Sequence, residues 1–304
     1  MQVSWFLHFY GSSILNYKRL QAMALIGASV ALLTSCTWSN RESSLGVPGV
    51  DGGVVAVSEP NAAHIGAEIL RQGGNAIDAA AAVQFALNVV EPESSGIGGG
   101  GFMLVYLARE KKVFALDSRE KAPAAASPDM FVPFLDYGGS VFSMASTSGL
   151  AVGVPGTLQG LATALENWGT ISLPRALAPA IELAEKGFRI GPSLARNSES
   201  PRLQNEPGIP AYDEARKVFF PRGSPLVEGE ILVQTDLAKT FKLIATHGPA
   251  VFYHQDGEIA KAIVHTQLAT RSDPLSGDVF SAGTGRMTTS DLENYDIVMR
   301  EPIE

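Results

Sequence analysis

Cysteine is almost absent from this sequence: Cys36 is the one cysteine among 304 residues. An intramolecular disulfide is therefore impossible in this chain, which excludes a small disulfide-stapled scaffold. No apolar run reaches the length of about 18 residues typical of a transmembrane helix, so we expect no ordinary membrane-spanning helix. Positive charge is also scarce, because 23 Lys and Arg face 31 Asp and Glu and give a net charge of −8. A nucleic-acid partner calls for a basic face, so we predict none.

The motifs of several enzyme classes are missing as well. The sequence contains neither the G-x-S-x-G of many hydrolases nor the phosphate-binding G-x-x-x-x-G-K-[ST]. None of the five histidines has a second histidine or a cysteine at metal-ligand spacing. We therefore predict no metal site, and nothing in the sequence indicates a cofactor.

The one cysteine stands at the end of a segment with the composition of a secretory signal. A Lys-Arg pair at positions 18–19 precedes an apolar stretch over 22–33, and the residues LTSC at 33–36 close it. A basic region followed by a short apolar region is typical of a signal, and LTSC resembles a bacterial lipobox, whose cysteine is lipidated. We expect lipidation of Cys36, with a chance cysteine in a cleaved signal as the alternative. This predicts a periplasm-facing lipoprotein of the bacterial cell envelope, anchored in the membrane through Cys36.

The pattern along the chain predicts three segments. Residues 1–36 form the signal segment, and residues 37–51, rich in Ser, Asn, Gly and Pro, form a flexible linker. Residues 52–304 contain no clear boundary and form one domain. It opens with an apolar stretch at 53–57, which predicts a buried strand. Two helices follow; the second is an Ala-rich core helix in which we expect Asp78 to serve the helix dipole or packing rather than catalysis.

The most informative stretch covers residues 94–123, SSGIGGGGFMLVYLAREKKVFALDSREKAP. Gly96, Gly98 and Gly101 satisfy G-x-G-x-x-G, but a dinucleotide site needs a strand before that motif and a helix after it. Here a helical pattern precedes the glycines and a strand-like run follows them. We predict instead that the glycines lead the chain into a sheet, where missing side chains let backbone segments pack closely.

The strand-like run turns at 109–112 and returns as 113–116, which predicts a buried hairpin that ends at residues 117–120, DSRE. An arginine at the end of a buried hairpin is costly unless it has a partner. Arg119 is therefore a candidate for binding a ligand carboxylate. An internal salt bridge to Asp117 or Glu120 is the alternative.

Several segments, in this order, resemble γ-glutamyltranspeptidases (glutathione hydrolases): EPNAAHIGAEILRQGGNAIDAAAAV, SSGIGGGGFMLVY, DSREKAP and RMTTSDLENYDIVMREPIE. The likeness covers residues 49–304. It implies an α+β fold, the αββα sandwich of N-terminal-nucleophile hydrolases, with two antiparallel sheets between helical layers. In that family the precursor cleaves itself, and the new N-terminal threonine of the small subunit is the nucleophile, with its own amine as base.

The resemblance also implies a role for one residue. The arginine of D-x-R-E-x-A-P matches Arg119, which would pair with the α-carboxylate of the γ-glutamyl substrate, since a planar guanidinium fits a carboxylate with two parallel hydrogen bonds. Asp117 and Glu120 are candidates for a supporting role in orienting Arg119. The implied partners are glutathione and other γ-glutamyl compounds, and the small subunit from the same precursor.

No Thr-Thr-His-type junction follows Ile303, so we expect the catalytic nucleophile to lie beyond this truncated large subunit, no catalytic residue to lie within it, and the chain alone to be inactive. The expected activity of the whole enzyme is cleavage of γ-glutamyl amides with transfer to water, amino acids or peptides. Two alternatives are a cephalosporin-acylase-like amidase of the same superfamily and a non-catalytic lipoprotein on a degenerate scaffold.

Overall fold

The elements that carry the candidate residues lie in the ranges described by a computed structural model: residues 53–132, 146, 148–200, 213–269 and 284–302. They belong to one unit, Asp51–Glu304. The helices are α1 (Pro60–Arg71), α2 (Ala76–Val90), α3 (Thr157–Trp168), α4 (Leu173–Lys186), α5 (Pro192–Ser198), α6 (Asp213–Phe219), α7 (Thr235–His247), α8 (Ala250–Tyr253), α9 (Glu258–Ala269) and α10 (Thr289–Glu293). The strands are β1 (Phe102–Leu107), β2 (Lys112–Asp117), β3 (Phe188–Arg189), β4 (Ile231–Leu232) and β5 (Val298–Arg300), and a short 3₁₀ turn spans Gly149–Ala151.

Helix α2 is the central helix of the core, as its apolar composition predicts. Ala81, Ala82, Phe85 and Ala86 are all fully buried. The helix begins with a capping box, in which the side chain of Asn75 accepts from the backbone of the first turn and the side chain of Asp78 accepts from the backbone N–H of Asn75. The expectation that Asp78 serves the start of the helix is therefore confirmed.

Strands β1, β2 and β5 form an antiparallel sheet in the order β1-β2-β5. Its register pairs Met103 with Leu116 and Val105 with Phe114, so these four side chains share one face. That face packs on the helices: Val105 and Leu116 are buried, and the ring of Phe114 contacts Trp168 of α3 at a centroid distance of 5.3 Å. Helices on one face of an antiparallel sheet make this an α+β chain.

The opposite face of the same sheet is exposed, which corrects the prediction of a buried hairpin. Phe102, Leu104 and Tyr106 are 70%, 71% and 63% exposed. The continuous apolar run FMLVYL predicted burial on both faces, but within the described residues the helices cover only one of them.

The prediction of a buried strand at 53–57 is wrong. These residues form no strand, and Val54 is 87% exposed. A strand needs a partner for its backbone groups, and within the described part of the chain nothing pairs with this segment. Val55 instead packs against Gly66 of α1, and Val57 packs on the hydrophobic core.

A two-stranded sheet of β3 and β4 joins the region of α4 to that of α7, with Phe188 opposite Leu232. None of the helices among the described residues is both long enough and apolar enough to cross a membrane. The predicted signal segment, the linker and Cys36 lie outside the described residues, and their assignment stays a prediction.

Candidate active site

A glycine-rich connection runs from α2 to β1, so the G-x-G-x-x-G glycines follow a helix and precede a strand. This context confirms that they do not form a dinucleotide fingerprint. The carbonyl oxygen of Gly99 accepts hydrogen bonds from the N–H groups of Gly156 at 2.8 Å and Thr157 at 3.0 Å. These are among the N–H groups that a helix start leaves without an intrahelical partner, so the connection caps α3.

The same connection lies against the residues that follow β2. Gly101 and Ser118 exchange two backbone hydrogen bonds, of 3.2 Å and 2.9 Å. A Cβ atom on Gly100 would lie 2.8 Å from the nitrogen of Glu120 and 2.9 Å from the Cα of Arg119. The close backbone approach predicted for the motif therefore exists, and it falls on Gly100.

Arg119 lies just past the end of β2, where its side chain is 60% exposed. The burial argument that singled it out is therefore wrong, because the hairpin end is open to solvent on this face. Its Nε atom lies 3.3 Å from Oε2 of Glu120, so the alternative of an internal ion pair is realised with Glu120. An exposed pair of this kind is typically worth about 0–1 kcal/mol, which leaves the guanidinium available to a carboxylate ligand.

Asp117 does not pair with the guanidinium of Arg119. Its Oδ1 atom accepts from the backbone N–H of Arg119 at 3.0 Å, and its Oδ2 atom accepts from Nε of Arg300 at 2.6 Å. The hydrogen bond from the Arg119 backbone and that from Arg300 hold the pKa of Asp117 below its usual value. Asp117 therefore stays ionised at neutral pH and ties the end of β2 to β5.

Further bonds hold the segment on both sides. Lys121 and Val154 exchange two backbone hydrogen bonds of 3.2 Å and 2.8 Å, which form an isolated antiparallel bridge. The Nζ atom of Lys121 donates to the carbonyl of Asp296 at 2.6 Å, and the hydroxyl of Tyr295 donates to the carbonyl of Arg119 at 2.9 Å. Four stretches of the chain thus meet at Arg119: residues 99–101, 117–121, 153–157 and 295–300.

Sequence reasoning missed Tyr295 and Arg300. Both lie in the segment RMTTSDLENYDIVMREPIE, which carries part of the resemblance but received no role. Tyr295 is 176 positions from Arg119 along the chain, and Arg300 is 183 from Asp117. A contact over such a separation leaves no local pattern that could reveal it.

No group of three or more His, Cys, Asp or Glu side chains that could hold a metal ion occurs in the described ranges.

Comparison with known proteins decides the family. The sequence profile described as Gamma-glutamyltranspeptidase matches residues 62–304. This chain belongs to the γ-glutamyltranspeptidase family. A glutathione hydrolase proenzyme of Bacillus subtilis (strain 168) is 50% identical over 259 residues, which cover 83% of this chain and 39% of that protein. An acylase ACY 1 proenzyme of Pseudomonas sp. (strain V22) is 37% identical over 257 residues, which cover 83% of this chain and 42% of that protein.

A solved structure agrees with the family assignment. The crystal structure of Helicobacter pylori γ-glutamyltranspeptidase matches with a TM-score of 0.69 and 36% identity over 83% of this chain and 66% of that chain. The predicted fold class is confirmed: this is the large-subunit part of an α+β N-terminal-nucleophile hydrolase. The chain spans about two fifths of the length of the curated relatives it matches.

Proposed function

We propose that the enzyme containing this chain is a γ-glutamyltransferase and glutathione hydrolase. It cleaves the γ-glutamyl amide bond of glutathione and of other γ-glutamyl compounds, and it passes the γ-glutamyl group to water, amino acids or peptides. Membership of the family supports this proposal, and so do the glutathione hydrolase proenzymes among the relatives. The word proenzyme in their names also supports a small subunit cut from the same precursor as the partner of this chain.

One observation carries the proposal: the guanidinium of Arg119 is exposed while its backbone is fixed. Its Nε atom faces Glu120, and the edge with the two terminal nitrogens matches the two oxygens of a carboxylate. The backbone N–H of Arg119 bonds to Asp117, and its carbonyl bonds to Tyr295. A cation held in this way is suited to the α-carboxylate of a γ-glutamyl group.

The chemical steps belong to the proposed threonine nucleophile of the small subunit. Its hydroxyl attacks the γ-carbonyl carbon, and its own amine takes up the hydroxyl proton. The C–N bond breaks, the leaving amine takes that proton, and the γ-glutamyl group remains as an ester. Water or an amino group then attacks the ester and restores the threonine. Arg119 holds the α-carboxylate throughout, which keeps the γ-carbonyl in place for both attacks.

Replacement of Arg119 in the enzyme assembled from its precursor tests this function. Arg119→Ala should lower kcat/KM for a γ-glutamyl anilide by roughly 10- to 150-fold, because a hydrogen bond to a charged group is worth about 1.5–3 kcal/mol. Arg119→Lys should fall between Ala and wild type, since lysine keeps the charge and loses the planar two-point geometry. The measurement is kcat/KM beside the melting temperature.

Arg109→Ala is the matched control. Arg109 is an exposed arginine in the turn at the opposite end of the β1–β2 hairpin, so its replacement removes the same charge at a distance from the candidate site. We expect it to change kcat/KM less than about twofold, as is usual for a surface substitution. Near-normal kinetics of Arg119→Ala with a collapsed melting temperature would assign Arg119 to structure and contradict the proposal.

A second candidate function is that of an amidase resembling a cephalosporin acylase. The Pseudomonas acylase ACY 1 proenzyme supports it, as does a Bacillus halodurans cephalosporin acylase structure with a TM-score of 0.65 and 29% identity. A glutaryl anilide keeps the carboxylate that Arg119 would bind and lacks the α-amino group. A higher kcat/KM for the glutaryl than for the γ-glutamyl anilide would favour the acylase function.

We propose also that the enzyme is a lipoprotein anchored through Cys36 and facing the periplasm in the bacterial cell envelope. The basic pair at 18–19, the apolar stretch at 22–33 and the lipobox-like LTSC support this.

A further inference from the structure

Tyr295 lies between α10 and β5, and its aromatic ring is held independently of its hydroxyl. The residue is 5% exposed. Its ring stacks on that of Tyr253 with the centroids 5.8 Å apart and an interplanar angle of 19°. The Nζ atom of Lys121 lies 5.0 Å from the centroid of the same ring, within the range of a cation–π contact. Removal of the hydroxyl alone should therefore leave the ring in place.

The hydroxyl of Tyr295 forms its hydrogen bond with Arg119, whose guanidinium is the candidate group for binding a carboxylate. It donates to the carbonyl oxygen of Arg119 at 2.9 Å. Arg119 follows the last ladder pair of β2, so sheet hydrogen bonds no longer orient it. Its N–H bonds to the carboxylate of Asp117 and its carbonyl to Tyr295, so two side chains set the orientation of this backbone.

The hydroxyl remains a donor over the working pH range of the site. Burial, together with the nearby carboxylates of Asp117 and Glu120, raises the pKa of Tyr295 to about 12. Because a carbonyl oxygen can only accept a hydrogen bond, the protonated hydroxyl of Tyr295 is the donor in its bond to Arg119. At neutral pH the hydroxyl is therefore protonated and able to donate to Arg119.

We propose that Tyr295 is a positioning residue for Arg119: its hydroxyl fixes the backbone of Arg119 so that the guanidinium meets the α-carboxylate of the substrate. This inference rests on the proposed function, because it assigns Tyr295 a part in selecting substrates that carry that carboxylate. Tyr295 touches no reacting atom in this account. Its effect should therefore appear in substrate binding and selectivity.

Tyr295→Phe in the assembled enzyme tests the inference with two anilide substrates. One is the γ-glutamyl anilide, and the other is the 4-aminobutanoyl anilide, which keeps the amine and lacks the α-carboxylate. Loss of one hydrogen bond should raise KM for the γ-glutamyl substrate roughly 3- to 10-fold, with kcat within about twofold. The 4-aminobutanoyl substrate should respond less than about twofold, so selectivity for the carboxylate falls by nearly the same factor.

Tyr253→Phe is the matched control, because the stacked partner ring belongs to a residue that is likewise buried, and it too loses a hydroxyl that forms hydrogen bonds. That hydroxyl donates to the carbonyl of Pro155 at 3.0 Å and accepts from the N–H of Gln159 at 3.2 Å, without contact to Arg119. We expect a lower melting temperature and a change in carboxylate selectivity below about twofold. A fall in activity of Tyr295→Phe that is equal for both substrates would mean a merely structural role and would overturn the inference.

Arg119→Ala separates failure of this inference from failure of the proposed function. If Arg119→Ala leaves carboxylate selectivity intact, the proposed binding role fails, and the inference fails with it. If Arg119→Ala abolishes selectivity and Tyr295→Phe does not change it, only the inference is overturned. In the Arg119→Ala background, Tyr295→Phe should have no further effect on selectivity, as expected for two residues that act as one unit.

Discussion

At the scale of single residues, Asp78 shows how a buried charge can be retained. The residue is fully buried. Its Oδ1 accepts from the N–H groups of Thr170 at 2.8 Å and Ile171 at 3.2 Å, and its Oδ2 accepts from the N–H of Asn75 at 2.8 Å and the hydroxyl of Thr170 at 2.5 Å. Asp78 therefore joins the start of α2 to the loop before α4. Such charge-assisted hydrogen bonds offset the cost of burial.

Asp78→Asn should lower the free energy of unfolding by about 2–4 kcal/mol. Whichever way the amide turns, its NH₂ group faces a backbone N–H, because both oxygens of Asp78 accept from one. Asp236→Asn is the matched control, since Asp236 in the first turn of α7 has an 87% exposed side chain and should change stability by less than about 0.5 kcal/mol. Urea unfolding of both variants at pH 7 makes the comparison; equal midpoints would contradict it.

The effect of Asp78→Asn on the free energy of unfolding should also depend on pH. Burial raises the pKa of Asp78, but the hydrogen bonds from Thr170, Asn75 and Ile171 outweigh it and hold the pKa below its usual value. A depressed folded-state pKa gives stability that is present above the unfolded value of about 3.9 and lost as the pH falls through the folded value. The stability difference between wild type and Asp78→Asn should therefore shrink from pH 7 to pH 3. A difference that stays constant would show that Asp78 has the same pKa in the folded and the unfolded chain, and one that grows would show that its carboxyl is protonated in the fold.

At the scale of elements, the connection from α2 to β1 contacts both the start of α3 and the residues that follow β2, where the candidate site lies. The carbonyl of Gly99 caps α3, and Gly101 is bonded to Ser118 beyond the end of β2. Between them, Gly100 lies directly against the backbone of Arg119 and Glu120. This short segment therefore fixes the start of a helix and the end of a strand together.

Gly100→Ala adds only one methyl group, but we expect it to lower the activity of the enzyme strongly. Its Cβ would meet backbone atoms of Ser118, Arg119 and Glu120, and backbone atoms cannot move aside without shifting Arg119. A displacement near 1 Å can cost up to about 100-fold in rate, so we expect kcat/KM for a γ-glutamyl anilide to fall roughly 10- to 100-fold.

Gly98→Ala is the control for this prediction. A Cβ there would meet no atom within 4 Å, and the residue is exposed. Its kcat/KM should stay within about twofold of wild type. Equal kinetics for Gly98→Ala and Gly100→Ala would show that the close approach at Gly100 does not position Arg119.

At the scale of the whole molecule, the two faces of the β1-β2-β5 sheet have different surroundings. One face, with Val105 and Leu116, packs on the helices. Two residues beside Arg119 belong to the other face: Asp117 and Arg300 lie diagonally across β2 and β5 and share that face with exposed Leu104. Alternation along a strand therefore keeps the core and the candidate site apart.

The proposed membrane anchor at Cys36 concerns the whole chain and has a direct test. Cys36→Ser should abolish incorporation of a labelled fatty acid and release the enzyme from the membrane fraction, because several acyl chains on one residue give stable anchoring that a single chain does not. Ser35→Ala is the control, since it keeps a small residue before the cysteine and should retain both label and location. Label on Cys36→Ser, or a wild type found equally in the soluble fraction, would contradict the lipoprotein proposal.

Much of the helical framework could be predicted from local sequence. Pro60 in the first turn of α1, Asn75 at the cap of α2 and Thr288 at the cap of α10 are typical of helix starts, because capping and first-turn preferences act over a few neighbouring residues. The apolar run at 53–57 failed as a strand prediction, because a strand depends on a partner that local sequence does not specify. Arg119 was singled out for burial that it does not have, and its proposed role now depends on exposure and on a fixed backbone.

The sequence by itself determined the family, the two helices that follow residues 53–57, the entry of the glycine segment into a sheet and the candidacy of Arg119, because each of these depends on motifs or periodicities of neighbouring residues. Only the tertiary structure decided which face of the sheet is open, that Glu120 pairs with the guanidinium of Arg119, and that Asp117 pairs with Arg300. It alone placed Tyr295 on the carbonyl of Arg119. The physical reason is that these contacts join residues far apart in the chain, and their geometry exists only once the sheet and the helices have packed.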